Sequence, residues 1–359
     1  MPKTAMLLQF PRKFPADEIE QHVADAATAR ALVTARRPDL LALLQQRRER
    51  ISKVPQWQLH DASEVERGEN TLLIAFCRLA FRHGSWGTDF HAYHNEEHIL
   101  EILGTRIDCL LDHIGVNGLQ LRDWYLLSLF AAGHDLRQRE KPQFVAGVGS
   151  NEQASIEETF RILQICGFDD STALALYKSM ALMIAGSTFD ARPAPNDLEY
   201  NSAELAQSGG ALAQRLDRKL DDHLPDWRSD EDLQHALPLA LLAADLDTAN
   251  VAAPFPVFAA SAERLCRERE MRSHRCLQDE SSAAPVLAFL TDGQERYFFD
   301  LHRFHSEIGR ATFEAAKQEN AARLQAQTMA LRARIAMQGM PKTGDGVIAI
   351  YREVVAGIA

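Results

Sequence analysis

Apolar residues recur at three- and four-residue spacing in four long stretches of the chain, 70–83, 97–114, 151–166 and 255–271. That period places them on one face of a helix. No run of alternating β-branched residues is bounded by hairpin turns, so no sheet is predicted. Helix-start signals agree. Asn95 precedes Glu96 and Glu97, which suit a first turn, and Ser150 followed by Gln153 has the spacing of a capping box. Glycines and prolines predict loops at 140–150, 187–202, 272–284 and 339–346. The expected fold class is all-α.

Composition narrows the function classes. With 359 residues, 46% hydrophobic and 25% charged, the chain suits one large globular domain or two ordinary ones. Lys plus Arg is 39 and Asp plus Glu is 50, a net charge of 39 − 50 = −11. Dedicated binders of nucleic acid or anionic membrane need a basic face, so neither partner is expected. A small phosphorylated substrate remains compatible, because a metal ion can supply positive charge locally. The five cysteines are widely spaced with no CxxC pair, and the apolar run Ala5–Leu8 is too short for a signal core. A cytoplasmic protein without a membrane span is the expectation.

Four places hold candidate chemistry. His94 and His98 lie four residues apart in Tyr93-His94-Asn95-Glu96-Glu97-His98, so both imidazoles can enter one cleft. His134-Asp135 ends an apolar helix, Trp124 to Ala132, where a buried carboxylate needs compensation. Neutral imidazole and carboxylate together suit a divalent metal. The bland reading is a helix terminus, with His134 on the last carbonyls and Asp135 in water. Asp245 follows the apolar run 238–244 and needs a strong partner there, or is an ordinary turn aspartate. Asp247, two residues on, is expected to face elsewhere, toward solvent or the next helix boundary. Glu152, at a helix start, is either a dipole-favoured acid or a group that orients a metal-bound water.

The ordered set YHNxxH, HD, NExxS and ADL resembles the HD-domain metal-dependent phosphohydrolases over roughly residues 70–325. Within that superfamily it is most similar to a bacterial branch related to the cyclic-nucleotide phosphodiesterases. The resemblance implies a compact multi-helix bundle with a metal site in its central cleft. It implies an N-terminal helical extension (1–68), a catalytic domain (69–325) and a C-terminal helical tail (326–359). His98, His134, Asp135 and Asp245 would ligate one or two divalent ions of Mn, Mg, Zn, Fe or Co. His94 would protonate the leaving oxygen, and Glu152 would stand near the metal water. Gln294 and Tyr297 have the spacing of the glutamine and aromatic that hold a purine in the phosphodiesterases, although packing within GQERYFFDLHRF explains both. Gly133 stands where the bacterial relatives carry a bulky aromatic, and His223 and His235 are loose candidates for further ligands.

The implied activity is hydrolysis of a phosphoester, of a nucleotide or a cyclic phosphodiester, by metal-activated water. Two other readings are compatible with the residues. One is a catalytically silent helical module for regulation or ligand binding, and the other is an HD-type di-iron oxygenase. The amphipathic stretch 310–338 could serve as a homo-oligomer interface.

Overall fold

The computed structural model describes residues 7–8, 14–54, 62–138, 149–189 and 209–358. Among them the regular elements are helices, joined by one isolated antiparallel bridge between Phe189 and Ala211. The all-α expectation holds. Residues 190–208 and 139–148, which contain most of two predicted loops, lie outside the described residues.

The chain divides into two units. The first comprises residues 1–188 and 212–247, and the second 189–211 and 248–359. The division falls elsewhere than positions 68 and 325, which lie within the helices Ala62–Arg82 and Glu307–Gln338. Helical periodicity crosses both positions, and Gly68 is accommodated inside the first of these helices.

In the first unit α1 (Glu18–His22) and α2 (Ala26–Arg36) are capped by Asp17 and Asp25, whose side chains accept from the Glu20 and Thr28 amides. α3 (Pro38–Ser52) starts with Pro38, whose missing N–H costs nothing in a first turn. α4 (Ala62–Arg82) is buried along most of its length, from Leu72 to Ala80. α5 (Glu96–Glu101) passes through a π turn (Ile102–Arg106) into α6 (Ile107–Ile114). α7 (Leu121–Gly133) is apolar on nearly every side and is packed against α4 and α9. α8 (Ser150–Ile165), α9 (Leu174–Ser187), α10 (Leu216–His223) and α11 (Glu231–Thr248) follow.

The α8 start differs from the sequence expectation. Gly149, at φ +93°, is the cap, and Ser150 is already helical. Gln153 donates to Glu157 within the helix instead of closing a capping box. The Asn95 cap is as predicted: its side chain accepts from the Glu97 amide at 2.9 Å, leaving His94 outside the helix and His98 inside its first turn.

A buried ion network fixes the turn after α7. Arg78 and Arg82 of α4, with Arg137, surround Glu158 of α8 at 3.1–3.4 Å, and Arg78 and Arg137 also reach Glu20 of α1 at 3.1 Å. Arg82 donates to the Leu136 carbonyl at 2.7 Å, and the Arg137 amide donates to Ser155 Oγ at 3.1 Å. Guanidinium forks suit such buried pairing. The turn carrying His134 and Asp135 is therefore held by both helix packing and charge.

The second unit contains α12 (Phe255–Arg272), α13 (Ala283–Ala288), α14 (Gln294–Arg296), α15 (Glu307–Gln338) and α16 (Gly344–Ile358). Its core gathers Cys266, Val286, Phe289, Leu290, Leu331, Val347, Ile348 and Tyr351. The Tyr351 hydroxyl finds its partner in the Ala259 carbonyl at 3.0 Å. Among the described residues no single helix is long and apolar enough to cross a membrane.

Candidate metal centre

Four side chains from three parts of the first unit converge. His98 comes from the first turn of α5, His134 is the C-cap of α7 with Asp135 beside it, and Asp247 lies in the last turn of α11. His98 Nε2 is 3.1 Å from Asp247 Oδ1, and His134 Nε2 is 3.3 Å from the same oxygen. Asp135 Oδ2 lies 3.0 Å from His134 Nε2 and 3.7 Å from His98 Nε2. Ligands about 2.1 Å from one ion, at right or tetrahedral angles, sit about 3.0–3.4 Å apart. Three of the four observed spacings match that separation, and His98 to Asp135, at 3.7 Å, is slightly longer.

His134 shows why a cation fits. Its Nδ1 faces the Phe130 and Ala131 carbonyls at 3.1 and 3.2 Å, so Nδ1 carries a proton and donates. In the neutral ring Nε2 is then a lone pair, aimed at two carboxylate oxygens. Nε2 and Asp135 Oδ2 are both buried, and although only 3.0 Å apart they lack hydrogen-bond alignment. Acceptors crowded this way repel unless positive charge lies between them. The bland sequence reading was half right: His134 does engage last-turn carbonyls, but through one nitrogen, which orients the other into the site.

The ionisation pattern expresses the same demand. Burial depresses the His134 imidazole, but the charges of Asp135 and then Asp247 outweigh burial and hold it well above its ordinary value. Burial likewise raises both carboxyls, and His134 in turn brings Asp135 down to about 2 and Asp247 well below the usual carboxylate range. Burial dominates at His98 and lowers it. Without a metal, a proton on His134 neutralises part of the carboxylate charge. A divalent ion balances both carboxylates with the histidines neutral.

Asp247, and not Asp245, is the carboxylate that α11 supplies. Positions two apart on a helix point about 200° away from each other, so only one of the two can face the histidines. Asp245 is fully buried and does not join the convergent group. The apolar run before Asp245 marked burial correctly, but the rotation of α11 is set by packing that the local sequence does not encode.

His94 stands beside the group, its ring centroid 6.1 Å from that of His98, and it acts electrostatically on Asp135. Glu152 lies in the first turn of α8, partly exposed. The traceable link from that turn runs through its neighbour. Asn151 Nδ2 donates to Gln138 Oε1 at 2.9 Å, and Gln138 Nε2 donates to Asp135 Oδ1 at 2.8 Å, leaving Oδ2 for the site. Sequence reasoning missed Gln138, although its place three residues after Asp135 was a signal available to it. Gln294 and Tyr297 belong to the second unit. Gln294 is buried in α14, and the Tyr297 ring packs 6.1 Å from Phe189 and 5.6 Å from His302. His235 pairs with Asp123 at 2.8 Å, and His223 ends α10; neither joins the convergent group. A Cβ on Gly133 would stand 2.9 Å from Thr159 Oγ1, so the close approach of α8 accounts for the glycine.

A second His/Asp group, His83, Asp89 and His91, has similar spacing, with Asp89 Oδ2 3.7 Å from His83 Nδ1 and 3.5 Å from His91 Nε2. Its protonation differs. The Gln138 amide donates to His83 Nε2 at 3.1 Å, which places the ring proton on Nδ1, the atom facing Asp89. A proton donor there replaces the lone pair a cation would need. Of these two groups, the His98 group has the closer spacing, and its His134 Nε2 is held as a lone pair by the bonds of Nδ1. Comparison with known proteins finds no family model, no curated protein and no solved structure that matches this chain.

Proposed function

We propose that this chain is a metal-dependent phosphohydrolase of the HD type, acting on a small phosphorylated substrate of the nucleotide class, as a monoester or a cyclic diester. The observation that supports the reading is the buried cluster of His98, His134, Asp135 and Asp247, whose spacings suit one divalent ion and whose two carboxylates balance its charge. A bound divalent ion supplies Lewis acidity, acidifying a water and neutralising phosphate oxygens. Two histidines and two aspartates are the protein's share of its coordination. Asp135 is held through Oδ1 by Gln138, and His134 through Nδ1 by the α7 carbonyls, so both present a fixed atom. His94, outside the first turn of α5 with its ring 6.1 Å from that of His98, is the proton donor to the departing alkoxide, a task suited to imidazole near neutral pH.

The test is the metal content of purified protein together with hydrolysis of bis-p-nitrophenyl phosphate and p-nitrophenyl phosphate under added Mn²⁺. Bound metal and turnover of either ester, both lost in His134→Ala, are the expected results. Silence toward both esters with Mn, Mg, Zn, Fe and Co would overturn the hydrolase and leave a binding module.

A further inference from the structure

The helix that carries His98 changes its winding immediately afterwards, at the π turn Ile102–Arg106. In an unbroken α-helix Arg106 would stand eight residues on, about 80° round from His98 at 3.6 residues per turn. The one extra residue of a π turn shifts the phase by about 100°, back toward the His98 side. There the Arg106 guanidinium, itself 5% exposed, meets the end of α11. Nη1 donates to the Leu246 carbonyl at 2.9 Å and to the Asp247 carbonyl. Last-turn carbonyls have no partner within their own helix, and here an arginine from another helix supplies it. Glu101 lies 3.4 Å from the same guanidinium. Arg106 also bonds the Tyr93 hydroxyl, and the Tyr93 ring packs on that of His98 with centroids 4.8 Å apart.

We infer that Arg106 is a positioning residue for the cation site, holding the Asp247 carboxylate in register with His98 by gripping the backbone that carries it; this rests on the metal reading above. Two ligands 149 residues apart in sequence are tied through one side chain that bonds the backbone of the second. The π turn gives that side chain its aim. π turns inside α-helices are frequent at functional sites, where they redirect a side chain.

The experiment compares wild type, Arg106→Ala and Arg106→Lys. Mn²⁺ affinity is measured by competition with a fluorescent chelator, Co²⁺ binding by its visible absorption, and melting without metal in parallel. Wild type is titrated first: if it binds neither ion, the metal reading itself fails, and this inference with it. If it binds, Arg106→Ala should weaken Mn²⁺ by about 10- to 100-fold, the usual cost of losing an outer-sphere partner. Its Co²⁺ spectrum should change, and millimolar guanidinium should restore part of the affinity. Arg106→Lys should fall between, since an ammonium gives point donors and not a fork. Wild-type affinity and spectrum in Arg106→Ala would overturn the inference. So would a weakened affinity that guanidinium leaves unchanged. Should Arg106→Ala not fold, Arg106→Lys decides by the same two readouts, and wild-type values in it overturn the inference.

Discussion

Replacing Asp247 by Asn, with Asp245→Asn as its partner experiment, asks which aspartate of α11 serves the cation. The wild-type group sums to zero charge with a divalent ion: two neutral histidines, two carboxylates and the metal. Asp247→Asn removes the charge of the carboxylate whose Oδ1 lies 3.1 and 3.3 Å from the two histidine nitrogens, and leaves one uncompensated positive charge in a buried site once the metal binds. The loss should be at least that of an outer-sphere change, about 100-fold in affinity. At a metal concentration 100 times the wild-type Kd, binding stabilises the wild type by about 2.7 kcal/mol; a 100-fold weaker variant retains about 0.4 kcal/mol. The difference of about 2.3 kcal/mol corresponds to about 5–9 °C of the metal-dependent rise in Tm, at 2–4 °C per kcal/mol for a domain of 150–250 residues. Calorimetry with and without Mn²⁺ reads this increment directly. Asp245→Asn, at a fully buried position, should lower Tm with and without metal alike and keep the increment. An increment kept in Asp247→Asn and lost in Asp245→Asn would refute the assignment.

His94→Ala should keep stoichiometric metal and lower the catalytic rate by about 10²- to 10⁴-fold, and an unchanged rate in a steady-state ester assay would remove the proton-donor role. Metal affinity should rise with pH by up to about tenfold per unit below the raised pKa of His134, because the ion displaces the ring proton that Asp135 and Asp247 hold there, and should level off above it; chelator competition from pH 6 upward, flat throughout, would contradict this. The acid limb of stability should respond to Asp17 and Glu20. Burial raises both, but at Asp17 the Arg82 charge together with the hydrogen bonds from the Glu20 amide and Arg82 outweighs it, and at Glu20 the Arg161 hydrogen bond together with the charges of Arg161, Arg78 and Arg137 does, so both end lowered. A folded-state pKa below the unfolded one contributes stability above about pH 4, lost as pH falls through the folded value. Glu20→Gln should therefore flatten urea-derived stability between pH 5 and 3, and an acid limb as steep as wild type would count against the network.

Local pattern was enough for the helices around the site. Asn95 followed by two glutamates placed the start of α5, and the apolar run ending in His134-Asp135 placed the end of α7, because capping and periodicity act within a few residues. The division into two units was not legible. The resemblance ended at 325, but the helix through that point continues to Gln338, and division into units follows from contacts between segments far apart in the chain.

The sequence by itself determined that this chain is helical and which stretches carry histidine and aspartate near helix ends, since both depend on neighbours three and four residues away. Only the tertiary structure decided that Asp247 stands beside the histidines, that Gln138 holds Asp135, and that the Gln138 amide bonds one nitrogen of His83. Each of these turns on the rotation of a helix about its own axis or on the proton carried by one ring nitrogen. Packing partners tens to more than a hundred residues away fix those quantities, so no local window of the sequence contains them.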